Sequence, residues 1–129
     1  MPGDREAVER VTGFGGVFLR ARDADALAAW YSRNLGIPLD AGQTYGVFAA
    51  NHPSTVWSTF AHDTDYWPAD RQAMVNYTVS DLDALLEQLR DAGVHVDERV
   101  ETLEGIGRFG WAVDPEGNRF ELWEPVAAE

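Results

Sequence analysis

The chain has 129 residues, enough for one domain or for two small halves sharing a core, and a chain of that size buries about two-thirds of its unfolded surface. The absence of cysteine excludes disulfides, thiolate nucleophiles and cysteine-based zinc sites, and fits a reducing compartment. With 22 acidic residues against 10 basic ones the formal charge is −12, spread along the chain, which argues against nucleic acid or an anionic membrane as partner and leaves a field that either concentrates a cationic ligand or merely keeps the protein soluble.

The first residues, Met1 to Glu6, hold no apolar stretch of the signal-peptide kind, and no apolar run approaches the ~18 residues of a membrane span, so a cytoplasmic protein is expected. Gly16 to Ala21 alternates as a strand, with Val17, Leu19 and Ala21 on one face and Gly16, Phe18 and Arg20 on the other. Asp23 suits an N-cap. Leu27, Trp30, Tyr31 and Leu35 then follow helical spacing until Gly36 and Pro38 stop the helix, and extended chain resumes near Ile37. Tyr45 to Ala49 and Thr55 to Phe60 read as two short strands around a turn at Asn51-His52-Pro53-Ser54.

From Ala61 to Arg71 the chain has no period and is read as a connector able to fold over a sheet's mouth, with Trp67 either a lid or a side chain packed against its own loop. Met74 to Val79 is a second alternating strand. Ser80 or Asp81 caps a helix whose Leu82, Leu85, Leu86 and Leu89 share one face before Gly93. The run Asp23-Ala24-Asp25-Ala26-Leu27 matches Asp81-Leu82-Asp83-Ala84-Leu85 at an offset of 58, close to half the chain, which indicates an internal duplication. Val94 to Val100 supplies another strand. Two aromatic-rich runs, Arg108 to Val113 and Arg119 to Trp123, flank the turn residues Asp114-Pro115-Glu116-Gly117-Asn118 as a β-hairpin.

The expected fold is α+β, one domain over 1–129 built from two βαβββ modules, about 13–62 and 72–126. Each helix must bury one stripe, which is satisfied when both cover the convex side of a curled, U-shaped mixed sheet. Val17, Leu19, Val75, Tyr77, Val79, Phe120 and Leu122 continue the helix-facing parity, and the opposite parity is left for a concave cavity: Gly16, Phe18, Arg20, Met74, Asn76, Thr78, Arg119, Glu121 and Trp123, joined by Val56, Ser58 and Phe60.

The segment DPEGNRFELWEP, Asp114 to Pro125, together with the duplication, resembles the vicinal oxygen chelate superfamily, which holds glyoxalases, extradiol dioxygenases, fosfomycin and bleomycin resistance proteins and methylmalonyl-CoA epimerase. That resemblance implies a homodimer and a divalent metal held at four strand positions, which fall here on Gly16, Ser58, Met74 and Glu121. Glycine has no donor, a thioether is a soft ligand and a serine hydroxyl a weak one, so no metal or other cofactor is expected, and a metal-dependent glyoxalase or dioxygenase is the less favoured reading. His52, His62 and His95 show no ligand spacing, although His62 beside Asp63 and Asp65 has the makings of an oriented base. The expected partner is a small organic molecule, aromatic or cationic. Glu121 is either a structural carboxylate paired to Arg20, Arg108 or Arg119, or the general acid/base of a lyase or isomerase. Trp57, Trp111 and Trp123 are read first as core.

Overall fold

The computed structural model describes residues 8–48 and 55–127; the turn containing His52 lies outside them. The elements run β1 (Val11–Ala21), α1 (Ala24–Leu35), β2 (Tyr45–Phe48), β3 (Thr55–Ala61), β4 (Ala73–Val79), α2 (Leu82–Asp91), β5 (His95–Val96), β6 (Glu101–Leu103), β7 (Gly107–Val113) and β8 (Arg119–Pro125). Both helices start where a carboxylate accepts from the exposed first turn, Asp23 from the Ala26 N–H at 3.0 Å and Asp81 from the Ala84 N–H at 3.1 Å. Gly36, at φ +70°, closes α1 in the left-handed conformation.

One mixed sheet takes all eight strands in the order β2-β3-β1-β4-β8-β7-β5, with β6 paired to β7. In each half the first strand lies parallel to the last, β1 to β3 and β4 to β8, and the halves join where β1 runs antiparallel to β4. Val17 faces Val75 across that join, 58 residues apart, so the sequence offset reappears as an approximate two-fold relation. The result is the open, mixed α+β sheet of two halves that the sequence pattern predicts.

Local chemistry accounts for the departures from alternation. The expected strand at Val94 to Val100 forms only at His95–Val96, where the Asp97 side chain accepts from the Arg99 N–H at 2.9 Å in a local turn that competes with the ladder, and pairing resumes beyond it at Glu101. Near Ile37 the extended chain makes a single bridge, Leu39 to Gly46. The C-terminal hairpin turn is closed by Asp114, whose Oδ1 accepts from the N–H groups of Glu116 and Asn118, both at 2.9 Å.

The convex core is carried by α2, where Leu82, Leu85 and Leu86 pack on Val79, Val96, Ala112 and Leu122. Gly110 lets that helix come close, since a Cβ there would lie 3.1 Å from Leu86. The stripe expected on α1 is only partly used. Ala28 is its buried residue and Tyr31 rests on Trp57, ring centres 4.8 Å apart, whereas Trp30 and Leu35 remain 47% and 64% exposed. Among the described residues no helix is long and apolar enough to cross a membrane.

Candidate functional site

Sheet register sets the concave face. One row across the strands reads Val47, Val56, Gly16, Asn76, Glu121 and Trp111; the next reads Tyr45, Ser58, Phe18 and Met74. Glu121 therefore sits in the middle of β8 between an amide on β4 and an indole on β7, and only 2% of it is exposed.

Burying a carboxylate costs several kcal/mol unless donors satisfy it. Here three do. Asn76 Nδ2 donates to Oε1 at 2.6 Å, Trp111 Nε1 donates to Oε2 at 2.9 Å, and the Tyr66 hydroxyl donates a short bond to the same Oε2. Burial pushes the Glu121 pKa above the usual carboxylate range, opposed by these three donors and by the more distant charge of Arg119. The same burial, together with the neighbouring carboxylate, raises the Tyr66 pKa well above that of an ordinary tyrosine, so its hydroxyl stays protonated. None of the three arginines considered as partners is hydrogen-bonded to Glu121: Arg108 pairs with Asp83 at 2.9 Å and Arg119 with Asp97 at 3.3 Å.

Arg20 does something the sequence does not announce. Its guanidinium donates to the carbonyls of His62, Thr64, Trp67, Pro68 and Arg71, from 2.6 to 3.2 Å, and lies over the Trp67 ring. These bonds fold the connector back over one end of the concave face. Trp67 is buried with Phe18, Met74 and Trp111, its N–H bonded to Arg71 O at 2.9 Å, which makes it a packed loop residue rather than a lid. Tyr66, delivered beside it, stacks on Phe60 at 5.5 Å and reaches Glu121. Sequence reasoning passed over Tyr66; its one signal is an aromatic pair in an otherwise polar connector.

The other end of the face stays open as a cavity of about 440 Å³. Of the residues assigned there by parity, Phe18, Asn76, Glu121, Trp123 and Val56 line it. Arg20, Phe60 and Met74 belong to the plugged end. Thr78 is turned to a hydroxyl pair with Thr12 at 2.9 Å, and Ser58 Oγ donates to Thr59 O at 3.2 Å. The walls are otherwise apolar: Val47, Ile106 and a parallel ring pair, Phe109 and Trp123, with centres 6.0 Å apart. Trp123 Nε1 donates to Ile106 O at 3.0 Å and so ties the loop after β6 to the cavity wall.

The residues at the four metal positions do not suit a divalent ion. A Cβ on Gly16 would stand 2.1 Å from Val56 O, so no side chain fits there; Met74 is packed among aromatic rings, and both Glu121 oxygens are engaged by neutral donors. Among the described residues no group of three His, Asp or Glu side chains could hold a metal. His62 and His95 are exposed, and neither lines the cavity.

A family model described as a glyoxalase-like domain matches residues 16–123. Among solved structures the chain is similar to methylmalonyl-CoA epimerase from Mycobacterium tuberculosis, with 24% identity, a TM-score of 0.67, and 98% of this chain and 97% of that one covered. A variant of the Streptomyces coelicolor methylmalonyl-CoA epimerase in complex with 2-nitronate-propionyl-CoA is 16% identical with a TM-score of 0.65, over 92% of this chain and all of that one. The Mn(II)-bound glyoxalase from Novosphingobium aromaticivorans is 22% identical with a TM-score of 0.62, and 90% of this chain covers 40% of its length. No curated protein matches the chain. At these identities the likeness to solved structures is one of fold.

Proposed function

Since the chain belongs to the glyoxalase-like domain family of the vicinal oxygen chelate superfamily, we propose that it binds a small, largely apolar organic molecule in its concave cavity without a metal ion, with Glu121 meeting the ligand's polar end. The observation that carries this reading is a single buried carboxylate at the floor of an apolar cavity of about 440 Å³, inside the ~300–1,000 Å³ range of small-molecule sites. The carboxylate has its charge satisfied by an amide, an indole and a phenol, so it needs no ion to remain in place. The test is to fill the space. Val47 lines the cavity from β2, next to which only β3 is paired along the strand order, so Val47→Trp occupies volume with little demand on the core. Ligands found by thermal-shift screening of the wild type should lose binding to this variant while its circular dichroism is unchanged. Unaltered binding would place the site elsewhere.

A second reading has its own support. A carboxylate whose pKa is raised by burial and whose position is fixed by three donors has the properties of a general acid/base, which suits a lyase or isomerase that moves a proton on a carbon acid. We also expect a cytoplasmic homodimer, for which light scattering should give twice the 14.3 kDa chain mass.

A further inference from the structure

The chemistry of the concave cavity is unbalanced. Its lining carries a carboxylate, Glu121, and an amide, Asn76, whose buried Oδ1 has no hydrogen-bond partner; among the described residues it includes no lysine, arginine or histidine. Oε2 of Glu121 accepts twice, from Tyr66 and Trp111, whereas Oε1 accepts only from Asn76 and keeps capacity for another donor. Nearby cations are committed elsewhere. The Arg20 guanidinium is spent on connector carbonyls, and Arg119 is paired with Asp97, its guanidinium carbon 5.3 Å from the Trp111 ring centre and 6.0 Å from that of Tyr66.

The walls point the same way. Aromatic faces carry the negative end of the ring quadrupole, and the parallel pair Phe109 and Trp123, with Phe18 and Tyr45, surrounds the space above the carboxylate. The chain's net charge of −12 adds a field that raises the local concentration of cations and lowers that of anions. An anion in this cavity would meet a carboxylate held by neutral donors and paired to no cation, with little water to screen it.

We propose that the ligand is a protonated amine carried on an aromatic or otherwise apolar body, its ammonium group donating to Glu121 Oε1 and its body lying against Phe109 and Trp123, and that carboxylates and phosphates are excluded. The proposal rests on the reading of the concave cavity as the binding site. Three molecules of nearly equal shape test it by isothermal titration: 2-naphthylmethylamine, 2-naphthylmethanol and 2-naphthoate. Each is measured against the wild type, Glu121→Gln, and Glu116→Gln, which removes the same charge from an exposed turn.

The amine should bind the wild type at least about tenfold more tightly than the alcohol, and the carboxylate should bind more weakly than either. The amine's advantage over the alcohol should vanish in Glu121→Gln and persist in Glu116→Gln, and unchanged circular dichroism shows that the variants are folded. Should Glu121→Gln fail to fold, the order of the three probes on the wild type still decides. A carboxylate bound as tightly as the amine overturns the charge preference and leaves the cavity as the site. An advantage that survives Glu121→Gln also overturns it, assigning the preference to the general surface field. If none of the three binds, the proposal falls together with the reading it rests on.

Discussion

Tyr66→Phe removes one hydroxyl and leaves the ring where it is, stacked on Phe60 at 5.5 Å and edge-on to Trp111 at 6.0 Å. What is lost is one donor to Glu121 Oε2, and with it the longer bond, at 3.2 Å, that the hydroxyl accepts from Trp111 Nε1; the bonds from Trp111 and Asn76 to Glu121 stay in place. A hydrogen bond to an ionised group contributes about 1.5–3 kcal/mol, against about 0.5–1.5 for a neutral pair. At roughly 3–6 °C per kcal/mol for a domain of this size, the variant should melt about 5–18 °C lower when Glu121 is ionised and about 2–9 °C lower when it is protonated. Burial raises the folded pKa of Glu121, so the stability linked to that raised pKa is present at low pH and is lost as pH rises through the folded value. The tyrosine donor limits that loss. Without it the folded pKa rises further and the loss is larger, so the gap between wild type and variant should widen as pH increases and then level off. Tyr66 itself stays protonated over the range, its own pKa being raised. Melting curves followed by circular dichroism at constant ionic strength, from about pH 4 to about pH 9, spanning the ordinary carboxylate and imidazole ranges, read this directly. A gap that is flat with pH, or narrows as pH rises, would refute the assignment of Tyr66 as a donor to an ionisable Glu121.

Glu121→Gln separates binder from catalyst once a ligand or substrate is in hand: loss of a general base lowers turnover by about 10²-fold or more with affinity little changed, whereas a binder changes only in affinity or melting temperature. Elemental analysis of the purified protein should find no stoichiometric Mn, Fe, Ni or Zn, and a strong chelator should leave its melting temperature unaltered; one ion per chain that disappears in Glu121→Gln would return the site to the metal enzymes. Gly16→Ala places a Cβ 2.1 Å from the Val56 carbonyl oxygen and should destabilise by more than about 2 kcal/mol, whereas Gly36→Ala, at φ +70° with nothing within 4 Å, should cost about 1 kcal/mol. Equal melting temperatures for the two variants would contradict the close approach of β1 and β3 at Gly16.

The duplicated frame was legible because it rests on local patterns: strand alternation at Val17 and Val75, paired N-cap carboxylates at Asp23 and Asp81, and turn chemistry at Asp114 to Asn118. Phe18, Asn76, Glu121 and Trp123, which share the parity assigned to the concave face, line the cavity. Parity cannot say which part of a face is covered by something else. Phe60 and Met74 have the right parity and lie beneath the connector, because five carbonyls with no periodic pattern find their donors on one arginine of β1. Tyr66 became part of the site by the same route, a contact spanning 55 residues that no local signal encodes. The end of the strand at Val96 was, in contrast, written in the Asp97 side chain and is readable once that residue is treated as a competitor for backbone donors.

The approximate two-fold relation makes the site's asymmetry informative. Adding the offset of 58 to Phe18 reaches Asn76, and their cross-strand partners in the equivalent parallel pairs are Ser58 and Glu121. The first half thus presents a phenyl ring and a hydroxyl already bonded to its own backbone where the second half presents an amide and a carboxylate. Equivalent scaffold positions carry an apolar pole on one side and a polar pole on the other. A ligand with polar groups at both ends would leave one of them against Phe18, Val47 and Val56 without a partner, which costs about 1–3 kcal/mol for a neutral group and more for a charged one. On the proposed reading of the cavity as a binding site, it would favour molecules with one polar end, held in one orientation. The connector strengthens that selection, since Tyr66 supplies its donor to the second half's carboxylate while its ring and Trp67 fill the space over the first half's Phe18 and Phe60.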